Sequence, residues 1–180
     1  MSVSELSTST QNYLKAIWGL KEWSSEPVTA TLIAKQLGLK LSSVSDAVRK
    51  MAKQGLVSHT PYGSVELTEL GRQYALVMVR RHRLLESFLV QALGYTWDEV
   101  HNEAENLEHA VSDMLIERVD KFLDYPTRDP HGDPIPTVDG QITIPSAHRL
   151  TDSGAQSQVT VERISDSDPQ LLKFLSLIHI

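Results

Sequence analysis

The chain has 180 residues, 41% hydrophobic and 22% charged, with a net charge of −6 and no cysteine. That composition fits an ordinary globular protein and excludes disulfides and thiolate metal sites. It argues against a generic nucleic-acid binder, which would be basic, and no run has the length of a membrane span or the pattern of a leader, so a cytoplasmic location is expected.

Residues 7–23 read as a helix with Tyr13, Leu14, Ile17 and Trp18 facing inward, broken by Ser24-Ser25-Glu26-Pro27. Residues 29–37 form a short helix ended by Gly38. Ser42 or Ser43 is expected to cap the next helix, which runs to about Gln54 with Val44, Val48 and Met51 buried. Two short helices around a glycine-containing turn make either a helix-turn-helix or a plain helical hairpin. Residues 56–59 and 64–67 alternate like strands around the turn Pro61-Tyr62-Gly63, and a hairpin in that place is a wing.

Thr68-Glu69-Leu70-Gly71 opens a long helix to about residue 93, stopped by Gly94. Thr96-Trp97-Asp98-Glu99 reads as a capping box for the following helix, whose pattern continues to Leu123 with a break near Ser112. Residues 125–136 are a proline-rich loop or linker, and residues 137–157 are polar and weakly patterned. Residues 159–164 look like one strand and residues 168–177 like one short helix, too little for an independent core. The expected fold is mainly α. A winged helix-turn-helix occupies residues 1–75, a helical metal-binding and dimerisation domain residues 76–145, and a linker with an incomplete further segment residues 146–180.

Two stretches carry the chemistry. At about 100° per residue, His82 and Glu86 share one helical face, and His101, Glu105, Glu108 and His109 fall within an arc of roughly 100° on another. Three imidazoles and three carboxylates make one or two metal sites of borderline nitrogen and hard oxygen. The competing reading is a solvated acidic face, but Leu84, Leu85, Phe88 and Leu107 tie both stretches to a core. Charge follows the same division, with a balance of +2 over residues 1–75 and −6 over residues 76–150. Bound divalent cations would remove part of the excess.

On the presumed recognition helix, Lys40 precedes the start, and Ser42 and Ser43 can meet phosphates or base edges. Arg49, Lys50 and Lys53 suit phosphate contacts. Asp46 can accept from a cytosine amino group or orient a basic neighbour. Tyr62 is expected at the wing tip, on DNA backbone or simply exposed.

The order of these elements, with Arg81-His82-Arg83-Leu84-Leu85-Glu86, Val100-His101-Asn102-Glu103-Ala104-Glu105, Leu107-Glu108-His109-Ala110-Val111-Ser112-Asp113 and Asp129-Pro130-His131-Gly132-Asp133-Pro134-Ile135-Pro136, resembles the diphtheria-toxin-repressor family of metal-dependent transcriptional regulators. Within it the chain looks most like the manganese-responsive regulators of actinobacteria. The resemblance implies an ancillary site of His82, Glu86 and His101, and a primary site of Glu105, Glu108 and His109 completed by Asn12, where relatives commonly have Met or Asp. It implies a homodimer on double-stranded, palindromic operator DNA. Iron-responsive relatives have Cys where this chain has Glu105, and the harder carboxylate favours Mn²⁺, although Fe²⁺, Co²⁺ or Zn²⁺ can bind in vitro. Relatives carry a C-terminal SH3-like barrel, of which residues 158–180 match only the beginning; Asp168 or Gln170 lies near where they offer extra ancillary ligands. Removing residues 150–180 is expected to leave metal-dependent DNA binding largely intact. No membrane and no small organic ligand are expected.

The alternatives are an iron-responsive member of the same family, a di-metal helical enzyme, or a metal-free winged-helix adaptor. The enzyme reading lacks its usual signatures, since neither Glu-x-x-His nor His-Glu-x-x-His occurs.

Overall fold

A computed structural model of the chain describes residues 3–60, 63–166 and 168–177, so Tyr62 lies outside the described residues. The chain divides into two compact units, residues 1–79 and 80–180.

The first unit begins with α1 (Thr8–Trp23), capped by the Ser7 hydroxyl, which accepts from the Thr10 amide at 3.3 Å. Helix α2 (Ala30–Leu37) is capped by Thr29 and ends at Gly38, whose φ of 64° is the left-handed conformation that favours glycine. Helix α3 (Leu41–Lys53) follows after two residues. Strands β1 (Val57–His59) and β2 (Val65–Leu67) pair antiparallel with Val57 opposite Leu67 and His59 opposite Val65. Tyr13, Leu14, Ile17, Ile33, Val44, Val48, Met51, Val57 and Val65 make the buried core of this unit. Three helices closed by a two-stranded hairpin are the winged helix-turn-helix that the periodicity predicts.

One local expectation is corrected. Neither Ser42 nor Ser43 caps α3. Lys40 occupies the cap with extended backbone and no side-chain cap bond, and both serines sit exposed in the first turn. The helix starts at Leu41, two or three residues before a serine cap would start it, with Val44, Val48 and Met51 buried.

Helix α4 (Glu69–Leu93) runs out of the first unit into the second. There it is joined by α5 (Val100–Leu107), α6 (Asp113–Phe122) and α7 (Pro169–Leu177). Leu84, Leu85, Leu89, Val100, Ala104, Ile116, Val119 and Ile135 form the second core. Each fully buried aliphatic side chain of this kind contributes about 1.5–3 kcal/mol. Ion pairs brace it. Arg80 pairs with Asp120 at 2.5 Å and donates to the Pro136 carbonyl at 2.6 Å, and the buried Arg81 pairs with Asp113 at 2.6 Å.

Three further expectations change here. The Thr96–Glu99 box keeps one of its bonds, from the Thr96 amide to Glu99 Oε2 at 3.3 Å, but residues 97–99 are a turn and α5 starts at Val100. Helix α5 stops at Leu107, so Glu108 is its C-terminal cap and His109 lies in the turn before Ser112 caps α6. Residues 159–164 form no strand among the described residues. The Ile164 amide donates to the His131 carbonyl at 2.9 Å, and a lone bond does not make a ladder. Among the described apolar residues of the tail only Leu172 is fully buried, while Leu171 and Phe174 are exposed.

Candidate metal centre

His82 and Glu86 stand one turn apart on α4, with His82 Nε2 3.0 Å from Glu86 Oε1. Helix α5 presents His101, whose Nδ1 lies 3.2 Å from His82 Nε2 and 3.3 Å from Glu86 Oε1. On its other side, His82 Nδ1 meets Glu108 Oε2 at 2.6 Å. Glu108 is wholly buried at the end of α5, and Arg81 Nη1 reaches its carbonyl at 3.5 Å. Glu105 Oε1 is 4.0 Å from His82 Nδ1 and 3.9 Å from His101 Nε2, and His109 Nε2 is 3.5 Å from Glu108 Oε1. Five of the six residues singled out, His82, Glu86, His101, Glu105 and Glu108, therefore converge, with His82 in contact with both Glu86 and Glu108, while His109 meets its neighbour Glu108.

The electrostatics are those of a cation site. Burial disfavours the charged form of Glu86, yet His82, His101 and His131 outweigh it and hold the carboxyl below the usual carboxylate range. Burial works against a charged His101 too, but its bonds to Asp166 and Glu86 push it up to about 10. Asp166 is lowered against burial by His101. Buried carboxylates need compensating positive charge, and His101, held toward its charged form by Asp166 and Glu86, supplies part of it here.

Asp166 was not among the residues expected. Its Oδ2 lies 3.1 Å from His101 Nδ1, two positions before the nearer of the two tail residues the sequence pointed to. Asp168 instead caps α7, accepting from the Gln170 and Leu171 amides at 3.0 and 3.1 Å, and Gln170 is exposed. Asp129 and His131 were also missed as ligand types. Three groups bring ligand atoms within 4.8 Å of one another among the described residues: His82, Glu86, His101 and Asp166; His82, Glu105 and Glu108; and Glu86, Asp129 and His131. His131 Nδ1 is 3.9 Å from Glu86 Oε2, while its Nε2 donates to the Trp97 carbonyl at 3.1 Å, the kind of outer bond that orients a metal-binding imidazole. Burial and the neighbouring Glu86 and Asp133 raise Asp129 well above the usual carboxylate range, against the pull of Arg83.

Asn12 lies on α1 in the first unit. Its Oδ1 is buried and has no hydrogen-bond partner. An orphaned buried carbonyl oxygen is costly unless something positive meets it, so this atom suits a role as a hard-cation ligand. Imidazole nitrogen with carboxylate oxygen, and no sulfur, is the donor set of the cluster on α4 and α5, and it fits Mn²⁺.

In the first unit, Lys40, Ser42, Ser43, Asp46, Arg49 and Lys50 are all exposed at the start and along the outer face of α3. Asp46 and Arg49 form an exposed ion pair one turn apart.

Comparison with known proteins gives concordant results. A family model described as the iron dependent repressor N-terminal DNA binding domain matches residues 5–65, and one described as the iron dependent repressor metal binding and dimerisation domain matches residues 68–137. The iron-dependent repressor IdeR of Mycobacterium tuberculosis is 40% identical over 134 residues, which cover 74% of this chain and 58% of that protein. The chain thus spans a little over half the length of that curated relative. The IdeR of Mycobacterium leprae is 34% identical over 173 residues, covering 91% of this chain and 75% of its own. A solved structure described as a manganese-dependent transcriptional repressor in complex with manganese is 54% identical, with a TM-score of 0.90 over 95% of this chain and 78% of that one.

Proposed function

Because the chain belongs to the iron-dependent repressor family, we propose that it is a metal-dependent transcriptional repressor, responsive to Mn²⁺, that binds palindromic operator DNA as a homodimer in the cytoplasm. The observation that carries this reading is the convergence on His82 of Glu86, His101 and Asp166 from one side and Glu105 and Glu108 from the other, in a chain that also contains a winged helix. A bound divalent cation would supply positive charge to this carboxylate-rich cluster.

His82, Glu86, His101 and Asp166 make the ancillary set. Glu105, Glu108 and His109 make the primary one. His82 lies within 2.6 Å of Glu108, so the two sets meet at one imidazole. Glu105 sets the metal preference, since a carboxylate favours a hard ion where a thiolate would favour a softer one. Metal loading favours DNA binding to the extent that the ligand set is complete only in the DNA-competent conformation.

Support for the homodimer comes from α6, where Met114, Leu115 and Phe122 are 63%, 45% and 66% exposed. An exposed apolar face of this kind marks an interaction surface, and it lies within the residues that match a dimerisation domain. Lys40, Ser42, Ser43, Asp46, Arg49 and Lys50 are the proposed DNA contacts. Among the described residues no helix is long and apolar enough to cross a membrane. The test is an anisotropy titration with a labelled duplex selected by the protein from a random pool in Mn²⁺. The expected result is saturable binding that a chelator reverses. Equal binding with and without chelator contradicts the reading.

A further inference from the structure

Asp166 reaches the cluster from a segment with no helix or strand of its own, yet the backbone just before it is gripped at several points by the loop of residues 128–134. The Ile164 amide donates to the His131 carbonyl at 2.9 Å. Arg128 takes hold of Glu162 twice, its Nη1 donating to the carbonyl at 3.1 Å and its Nη2 pairing with the carboxylate at 2.7 Å. Arg163 Nε pairs with Asp133 Oδ1 at 2.5 Å, and both side chains are more than nine-tenths buried.

The loop is built for this grip. Asp129 Oδ1 accepts from the His131 and Asp133 amides at 2.8 and 2.9 Å, which fixes the turn. Arg83 on α4 donates to the Pro134 carbonyl at 2.7 Å and to Asp133 Oδ2 at 3.3 Å, which ties the turn to the helix carrying His82 and Glu86. Gly132, at φ 88°, lies so close to the segment that a Cβ there would be 2.1 Å from the Glu162 carbonyl oxygen. Any side chain at position 132 must push the segment away.

We propose that this clasp is the device that places Asp166 in the metal site, with Arg163 and Gly132 as positioning residues. The inference rests on the proposed reading of His82, Glu86, His101 and Asp166 as metal ligands. Its physical basis is reach and entropy. Asp166 lies only two positions after the anchored Ile164, and at about 3.3–3.6 Å per residue the carboxylate cannot stray far. Without the clasp, each of these residues would have to be ordered at the moment of binding, at a cost in backbone entropy. Arg163 also compensates Asp133, which stands in a pocket already crowded by Asp129 and Glu86.

The experiment is an Mn²⁺ titration of the full chain by calorimetry, with free Mn²⁺ followed by electron paramagnetic resonance so that separate classes of site are counted. The proteins are wild type, Asp166→Asn, Arg163→Met, Arg163→Lys, Gly132→Ala and the double variant Arg163→Met with Asp166→Asn. Asp166→Asn is expected to weaken one class of site. Arg163→Met and Gly132→Ala should weaken the same class by about tenfold, the lower end of what groups behind a ligand cost, and Arg163→Lys should recover part of that. In the Asp166→Asn background, Arg163→Met should add nothing. Hydrogen exchange in the metal-free proteins should show residues 159–166 opening faster in Arg163→Met and Gly132→Ala while α4 and α5 stay protected, which separates loss of placement from loss of fold. Equal effects of Arg163→Met with and without Asp166, or unchanged Mn²⁺ binding in both Arg163→Met and Gly132→Ala, overturn the positioning role. Failure of the wild type to bind Mn²⁺ overturns the functional reading itself, and this inference with it.

Discussion

The two sides of the metal cluster are held by different means. On the helical side, His82 and Glu86 are placed by one turn of α4, His101 and Glu105 by one turn of α5, and Glu108 by the helix end that Arg81 braces. On the tail side, Asp166 is placed by a loop that grips the preceding residues through two arginines, one backbone bond and a glycine with no room for a side chain. The helical side draws its order from the same hydrogen bonds and core that hold the fold. The tail side depends on a few specific contacts, so it is the part that a single substitution can release while the fold stands.

The largest effect should come from the helical side. Glu108→Ala removes a buried carboxylate that His82 contacts at 2.6 Å, and Mn²⁺-dependent DNA binding should be abolished in the anisotropy titration. DNA binding by this variant equal to wild type at limiting Mn²⁺ would mean that the helical side is not the activating one. Deleting residues 150–180 should have a smaller, graded effect. The sequence led us to expect little loss, since the six helical ligands precede the tail. The position of Asp166, 3.1 Å from His101, makes a loss of about tenfold in one class of Mn²⁺ site the expected result. A folded truncated chain with both classes of site at wild-type affinity would show the tail side to be dispensable.

Glu105→Cys should move the preference rather than remove the site. The ratio of Mn²⁺ to Zn²⁺ affinity should fall, because a thiolate gains more with the softer ion. An unchanged ratio would remove Glu105 as the source of selectivity. The smallest effect lies in the first unit. The Asp46–Arg49 pair is about 70% exposed on both sides, so Asp46→Ala should change thermal stability little, as exposed pairs contribute about 0.2–1 kcal/mol. Arg49→Ala should lower the salt dependence of operator binding by about one unit of slope if Arg49 neutralises a phosphate. An unchanged slope would place Arg49 off the DNA.

The same contrast explains what could be read from the sequence. A helix repeats every 3.6 residues, so the spacing of His82 and Glu86, and of His101 and Glu105, already put each pair on one face, and the apolar residues between them pointed the faces inward. The winged helix was legible for the same reason, through Gly38, the buried positions of α3 and the two alternating strands. Irregular backbone has no such period. The tail residue beside His101 is Asp166, where the sequence pointed to the neighbourhood of Asp168 or Gln170 without choosing, because nothing local fixes the register of an extended tail. Asp129 and His131 stood in a quoted motif but read as a loop, since their proximity to Glu86 depends on a turn closed by the Asp129 carboxylate. Residues 159–164 have the alternation of a strand, but a strand needs a partner, and the loop offers them one backbone bond in place of a ladder. The cap of α3 falls on Lys40 rather than on a serine because a capping side chain is a preference and not a requirement for a helix to start.

The most direct test of the central claim, that the residues converging on His82 form a metal site, is anomalous scattering at the manganese edge from crystals grown with Mn²⁺. The account predicts a strong peak within about 2.0–2.3 Å of carboxylate oxygens of Glu105 and Glu108, and a second near His82, Glu86, His101 and Asp166. Crystals of protein saturated with Mn²⁺ that show no anomalous peak at these side chains would contradict it.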